Sequence, residues 1–204
     1  MSTCLKLDFS TVGNYIAPGD PIIFCGRGFI SAVAKLGGLS RASHVATIYD
    51  SNTLCETTNA QGKPYALKRN LRQAIKDYNG DIYILPLAAR YRNIKGLRQS
   101  REIILQDWLD DISGKKVPYD YWQAIRCAIV TPWKAKESFS KLYCCEITGH
   151  SLEIMCFLNL NASELRPKNI HRFALYADTY YCVKGECTPL KKFNTGNPEG
   201  FGKR

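Results

Sequence analysis

The chain has 204 residues, of which 45% are hydrophobic, and this suffices for one domain with a sizeable core. Its net charge of +10 would suit nucleic acid, an anionic membrane surface or an acidic substrate. However, the basic residues occur singly or in pairs, and there is no zinc-finger or RNA-recognition signature, so we expect no nucleic-acid role. No apolar run approaches the roughly 20 residues of a membrane-spanning helix, so we expect no transmembrane segment.

The nine cysteines indicate a reducing compartment. Their number is odd, and the N-terminus lacks the basic and apolar segments of a signal peptide. Most of them lie in apolar stretches, as Cys25, Cys55 and Cys156 do, where a free thiol packs as a small hydrophobic group. We therefore expect a cytoplasmic protein with mostly buried thiols.

Three other cysteines are candidates for a metal site or a disulfide. Cys182 and Cys187 bracket Val-Lys-Gly-Glu, and Cys4 is a possible third member. The spacing is not Cys-x-x-Cys, and no fourth ligand of the zinc type is evident. Nor does the sequence contain a glycine-rich phosphate loop. We therefore expect two unlinked thiols on a hairpin, no metal and no cofactor.

In the first half of the chain, short apolar segments between turn residues predict buried strands. These segments are residues 21–25, 43–49, 54–58 and 81–85. The turn chemistry of residues 50–53 predicts that the strands on either side of it pair antiparallel. Residues 29–36 favour a short helix, and residues 65–79 favour the end of a strand followed by another short helix.

Helices are more frequent in the second half. Residues 96–113 predict a helix with an apolar face. On this face Ile104, Trp108 and Ile112 recur at helical spacing, flanked by Leu105 and Leu109. Two further helices are predicted at residues 121–131 and 144–158. Two further strands are predicted at residues 172–181 and 182–190, joined by a turn at Lys184-Gly185.

The stretch Lys141-Leu-Tyr-Cys-Cys-Glu-Ile-Thr-Gly-His150 contains the candidate nucleophile. Two adjacent cysteines, Cys144 and Cys145, precede an apolar helical face. At a helix start, the unpaired backbone N–H groups and the helix dipole favour a thiolate, so either cysteine is a candidate. Glu146, in the first turn, fits the charge of a helix start better than it fits a catalytic acid.

A thiolate nucleophile needs an imidazole and a polar group that fixes the imidazole tautomer. His44 begins a predicted strand, and Glu56 lies on the partner strand, where neighbours on one face are about 5 Å apart. His150 lies along the same helix as the cysteines, and His171 lies in a later loop, so both are weaker candidates. From spacing alone, core thiols and a structural histidine are the favoured interpretation, because a cysteine and a histidine far apart in sequence are common.

Six segments, taken in order, carry a resemblance to a known family. They are Pro18-Gly-Asp-Pro-Ile-Ile-Phe24, Ser43-His-Val-Ala-Thr-Ile-Tyr49, Glu56-Thr57, Val117-Pro-Tyr-Asp120, Tyr143-Cys-Cys-Glu146 and Leu165-Arg-Pro-Lys-Asn-Ile170. Together they resemble the permuted papain-like cysteine enzymes of the NlpC type, specifically the YiiX/YaeF-like group related to lecithin retinol acyltransferase. The resemblance covers about residues 17–172. The chain departs from the motifs at Cys145, where serine is usual, and at Lys116, where a glycine-type turn is usual.

The resemblance implies an α+β, circularly permuted papain-like fold with a central antiparallel sheet and packed helices. It also implies that Cys144 is the nucleophile, because this cysteine directly follows the motif tyrosine, that His44 is the base and that Glu56 orients the imidazole. We expect a single catalytic domain at residues 1–192 and a flexible tail at residues 193–204.

The activity that the resemblance implies is that of a cysteine hydrolase, a peptidase or amidase that forms a thioester acyl-enzyme. Its substrate would be a peptide, a peptidoglycan amide or a lipid acyl group. We expect substrate contacts at Tyr119, Asp120, Tyr143 and Cys145. The alternatives are a thiol acyltransferase or lipid hydrolase at a membrane surface, and an inactive binding module of the same fold.

Overall fold

A computed structural model describes residues 2–26, 41–58, 63–92, 97–128, 139–199 and 201, without the side chains of Phe9 and residues 126–128. The strands are β1 (Thr3–Lys6), β2 (Pro21–Gly26), β3 (His44–Ile48), β4 (Thr53–Thr58), β5 (Tyr65–Asn70), β6 (Gly80–Ile84) and β7 (Thr179–Lys184). The helices are α1 (Phe9–Val12), α2 (Leu71–Asp77), α3 (Ala89–Arg92), α4 (Arg98–Gly114), α5 (Tyr121–Ala128), α6 (Cys144–Cys156) and α7 (Pro167–Ile170). A 3₁₀ turn, Ala162–Glu164, lies between the last two helices.

These strands form a seven-stranded sheet in the order β1-β7-β6-β2-β3-β4-β5, and the fold is of the α+β class. Neighbouring strands are antiparallel from β7 to β5. At the other edge, β1 pairs parallel with β7. The sheet is therefore mixed: the expected antiparallel pairing is found from β7 to β5, whereas the pairing at the β1 edge is parallel.

Both faces of the sheet are covered. Successive side chains of a strand point to opposite faces, so each face contributes to its own apolar cluster. On one face, Ile23 and Val45 pack with Leu109 of α4 and Leu152 of α6 in a large apolar cluster. On the other face, strand residues pack in a second cluster with Leu71 of α2. Strand β2 is buried along its whole length, which explains why its sequence is a continuous apolar run.

The predicted helix at residues 96–113 is confirmed, with bounds Arg98–Gly114, and Ile112 of its predicted apolar face is buried, but the prediction is wrong for Ile104. Ile104 is 55% exposed, whereas Leu105 and Leu109 are fully buried. The sequence offers two apolar stripes shifted by one residue, and both satisfy the i, i+4 spacing. The partner helix α6 and the sheet decide which stripe is buried. None of the described helices combines the length and the apolar character needed to cross a membrane.

The predicted hairpin at residues 172–190 is also wrong. Only residues 179–184 of this range form a strand, and residues 185–190, which the structure describes throughout, form none. Strand β7 pairs with β6 and β1, which are distant in sequence, instead of with the segment that follows it. Gly185 ends the strand with a φ of +81°, a backbone conformation that glycine adopts without steric cost.

The C-terminal segment differs from expectation in two further ways. Cys187 forms a disulfide with Cys4, so the prediction that Cys187 is unlinked is wrong, while Cys182 is a free thiol. Phe193, at the start of the expected tail, is only 6% exposed and lies against Tyr180 with ring centroids 4.3 Å apart. The packed part of the chain therefore continues beyond residue 192. The helix predicted at residues 29–36 lies outside the described residues.

Candidate active site

Helix α6 carries Cys144 as its first residue. Tyr143 is the residue before the helix, and its backbone N–H donates to the Glu146 side chain over 2.9 Å. Glu146 thus closes the first turn, in agreement with the part predicted for it. The Cys144 thiol lies at the positive end of the helix dipole, where a negative charge is stabilised.

His44 begins β3, and Glu56 lies on the adjacent strand β4. The strands pair Thr47 with Cys55 and Ile48 with Leu54, so His44 and Glu56 are diagonal neighbours that point to the same face. The His44 Nε2 and Glu56 Oε2 atoms are 2.6 Å apart. This contact leaves the other ring nitrogen, Nδ1, for a second partner.

Cys144 lies next to the His44 side chain and interacts with it through a hydrogen bond and through charge. The Cys144 sulfur also accepts from the Cys145 thiol, 3.9 Å away, and from the backbone N–H of Val45. The structure therefore brings together the three residues that the resemblance implied for catalysis. They come from β3, β4 and the start of α6.

The surroundings of Cys144 favour its thiolate. The hydrogen bond from Cys145, followed by the charge and the hydrogen bond of His44, holds the pKa of Cys144 well below its ordinary value despite burial. By contrast, burial raises the pKa of Cys55 and of Cys156 to about 12. The pKa of Cys144 is thus shifted in the opposite direction from the pKa values of the thiols that pack in the core.

The surroundings of His44 favour its imidazolium. Burial disfavours the charged ring, but the charge of Cys144, its hydrogen bond and the Glu56 carboxylate outweigh burial and raise the pKa of His44 to about 10. The shifts in the pKa of Cys144 and of His44 therefore both favour a thiolate–imidazolium pair.

Arg69 completes the surroundings of Glu56 and was not singled out from the sequence. Its Nη1 atom lies 2.7 Å from Glu56 Oε1, and its Nη2 atom lies 3.4 Å from Asp77 Oδ2. Strand β5 pairs Leu67 with Glu56, so Arg69, two residues further on, points to the same face as Glu56. A register assigned to residues 53–58 and 65–70 would have revealed this proximity.

Tyr119 lies beside the two cysteines. Its backbone forms a bridge with Leu142, two residues before Cys144. Burial, followed by the charges of Cys144 and Cys145, raises the pKa of the Tyr119 hydroxyl, so this group stays protonated. Tyr119 is only partly buried, so part of its side chain is accessible.

The other three residues at which we expect substrate contacts, Asp120, Tyr143 and Cys145, mainly make contacts within the protein. Asp120 accepts a hydrogen bond from the Gln123 backbone N–H over 2.8 Å and thereby closes the first turn of α5. The Tyr143 hydroxyl is buried and donates to the backbone oxygen of Leu165. Cys145 is fully buried beneath Cys144, which is 7% exposed.

The two remaining histidines lie outside this arrangement. His150 pairs with Glu153 within α6, with 2.6 Å between Nδ1 and Oε2. His171 is buried next to the backbone oxygen of Lys191, and burial lowers its pKa to about 4. Among the described residues, no group of three or more His, Cys, Asp or Glu side chains is arranged to hold a metal ion.

An exposed apolar surface adjoins the site. It consists of Tyr121, Trp122 and Ile125 on α5, of which Trp122 is 74% exposed. Tyr121 packs edge-on against Tyr119, with ring centroids 4.9 Å apart. The surface is therefore continuous with Tyr119, which lies beside Cys144.

No family model matches the chain. No curated protein matches it either. Among solved structures, the chain is similar to the metalloprotein YiiX from Escherichia coli O157:H7, with 19% sequence identity and a TM-score of 0.43. The match covers 69% of this chain and 67% of that chain. A likeness of this degree assigns no residue a role.

Proposed function

We propose that this protein is a cysteine hydrolase that cleaves an amide or ester acyl bond, on a circularly permuted papain-like fold. The observation that carries the proposal is the hydrogen-bonded series from Cys144 through His44 to Glu56, in which His44 and Glu56 are 2.6 Å apart. A nucleophile, a base and a group that orients the base are what acyl transfer by a thiol requires. The histidine precedes the cysteine along the chain, which is the permuted order.

In the first half of the reaction, the Cys144 thiolate attacks the carbonyl carbon of the substrate. The negative charge that develops on the carbonyl oxygen lies near the positive end of α6, where the helix dipole stabilises it. The His44 imidazolium then donates its proton to the leaving amine or alkoxide, and the carbon–nitrogen or carbon–oxygen bond breaks. The products of this half are a Cys144 thioester and a neutral His44.

In the second half, neutral His44 removes a proton from a water molecule, and the resulting hydroxide attacks the thioester carbonyl. The carbon–sulfur bond breaks, the acid product leaves and the thiolate–imidazolium pair returns. Glu56 holds the imidazole through Nε2 in both halves, which keeps Nδ1 directed at the reacting atoms.

A second candidate function is acyl transfer from, or hydrolysis of, a lipid ester at a membrane surface. The exposed surface of Tyr121, Trp122 and Ile125 favours it, because aromatic and aliphatic side chains beside a nucleophile suit an acyl chain. The net charge of +10 would favour an anionic membrane. The chemistry at Cys144 is the same, with an alcohol or amine in place of water as the final acceptor.

Alkylation with iodoacetamide at several pH values, followed by peptide mapping, tests the proposal. In the wild type, we expect Cys144 to react fastest below pH 7, while Cys55 and Cys156 serve as unreactive internal controls. In the His44→Ala variant, the advantage of Cys144 should disappear. If wild-type Cys144 reacts no faster than the control thiols, the hydrolase proposal fails and an inactive binding module is the better interpretation. If Cys145 carries the reactivity instead, the assignment of the nucleophile fails.

A further inference from the structure

The carboxylate of Glu56 is enclosed, and each of its oxygens has a partner. Glu56 is 3% exposed. One oxygen lies 2.6 Å from His44 Nε2, and the other lies 2.7 Å from Arg69 Nη1. A buried carboxylate with a single partner would be costly to ionise, so the second partner is important for its charge.

The pKa of Glu56 reflects the same two partners. Burial would raise the pKa of Glu56, but the hydrogen bonds and charges of His44 and Arg69 outweigh burial and lower it. The neutral thiol of Cys55 is the other titratable group next to Glu56, and Cys144 faces His44 from the opposite side. Among the described residues, the positive charge that Glu56 meets besides His44 is therefore that of Arg69.

Arg69 is itself held in place from two sides. Its side chain is 16% exposed, and its second terminal nitrogen reaches Asp77 at the end of α2. Its strand, β5, is joined to β4 by six residue pairs, from Thr53–Asn70 to Thr58–Tyr65. A planar guanidinium can span two carboxylates in this way, whereas the single ammonium of a lysine cannot do so with the same geometry.

We propose that Arg69 is a positioning residue of the catalytic site. It holds Glu56 as a carboxylate in the orientation that accepts the hydrogen bond from His44, and it acts on Cys144 only through these two side chains. The inference rests on the proposed cysteine hydrolase activity. It adds a fourth member, contributed by β5, to the series of Cys144, His44 and Glu56.

The test compares Arg69→Met with the matched control Arg41→Met. Arg41 also pairs with a buried acid, Asp81, and this acid lies on β6, two strands away from the strand of His44. The measurement is the rate of Cys144 alkylation between pH 4 and pH 9.

Without Arg69, Glu56 takes up a proton at a higher pH, and the negative charge that supports the thiolate–imidazolium pair is lost there. We expect the acid limb of the rate profile to move up by about one pH unit or more, as is typical for loss of an opposite charge, and the Arg41→Met profile to match the wild type.

Two further variants separate positioning from general destabilisation. Arg69→Lys keeps the charge but not the bridge to Asp77. The acid limb of its alkylation profile should therefore also move to higher pH, but less than that of Arg69→Met. In a Glu56→Gln background, Arg69→Met should have no further effect on the alkylation rate, since Arg69 acts through Glu56. Additive effects of the two substitutions would overturn the inference.

The outcomes for the inference and for the hydrolase proposal differ. A wild type with fast Cys144 alkylation at acid pH, together with an unchanged profile for Arg69→Met, overturns the inference and leaves the hydrolase intact. A wild type without that reactivity defeats the hydrolase proposal itself. If Arg69→Met does not fold, an unchanged profile for Arg69→Lys overturns the inference.

Discussion

The sulfur atoms of Cys144 and Cys145 lie 3.9 Å apart, and the Cys145 thiol donates to Cys144, whose thiolate it stabilises. The two adjacent cysteines therefore have different roles, although the sequence presents either of them as a candidate nucleophile. Cys144 adjoins His44, whereas Cys145 is fully buried.

The first prediction concerns this hydrogen bond. In Cys145→Ala the pKa of Cys144 should rise, because the thiolate loses a donor. The acid limb of the Cys144 alkylation profile should then move up by about one pH unit, the effect of losing roughly 1.4 kcal/mol from a hydrogen bond to a charged group. Cys145→Ser is the matched control, since the hydroxyl can still donate. Equal rates for Cys145→Ala and the wild type would show that Cys145 only fills space.

The second prediction concerns the alkaline limit of activity. The pKa of His44 is raised to about 10 from its ordinary value, so the imidazolium persists through neutral pH and is lost as the pH rises through about 10. Hydrolysis of an unactivated amide needs this proton for its leaving group and should fall above that pH. Alkylation of Cys144 needs only the thiolate and should not fall. A fall in amide hydrolysis near pH 7 would contradict the ion pair.

The third prediction concerns the packing of the helix that carries the nucleophile. A Cβ atom on Gly149 would lie 2.5 Å from Leu165 Cδ1 and 2.9 Å from Ala162 Cβ. Gly149→Ala should therefore lower the free energy of unfolding by about 1–3 kcal/mol, as overpacked cores do. A Cβ atom on Gly114, at the end of α4, would meet nothing within 4 Å.

Gly114→Ala is thus the control for Gly149→Ala, and it should leave stability unchanged or raise it by up to about 1 kcal/mol through helix propensity. Chemical denaturation of both variants gives the comparison. Equal effects would mean that the 3₁₀ turn moves aside without cost.

The fourth prediction concerns the disulfide between Cys4 and Cys187. It joins β1, at the sheet edge, to the segment after β7, across 183 positions of sequence. Because such a link restricts the unfolded chain, Cys187→Ser should lower the free energy of unfolding by about 2–5 kcal/mol. Alkylation of Cys144 under native conditions should stay at the wild-type rate, since the disulfide does not contact the site residues. Thermal unfolding with and without a reductant is the complementary measurement.

The fifth prediction concerns Trp122 and separates the two candidate functions. If the apolar surface on α5 receives an acyl chain, Trp122→Ala should slow hydrolysis of a long-chain ester several-fold and leave that of an acetyl ester unchanged. If it receives no acyl chain, both rates should match the wild type. A loss with both esters would point to a changed Cys144, which the alkylation rate would reveal.

Local patterns in the sequence determined several parts of this protein. The Asx turn at residues 50–53, in which the Asp50 side chain accepts from the Asn52 N–H, defines the hairpin that carries His44 and Glu56. The helix start at Cys144 follows from an apolar period and an acidic first turn. Such signals extend over a few residues, so they can be recognised without knowledge of the rest of the fold.

Tertiary structure alone decided the contacts between distant segments. Arg69 meets Glu56 because β5 pairs with β4, Cys187 meets Cys4 because β7 lies between β6 and β1, and Leu105 faces the core because α6 packs on that side of α4. In each case, residue type and spacing allowed more than one arrangement. Which arrangement is adopted depends on the burial of apolar surface over the whole sheet and its helices, and that free energy is a property of the complete fold.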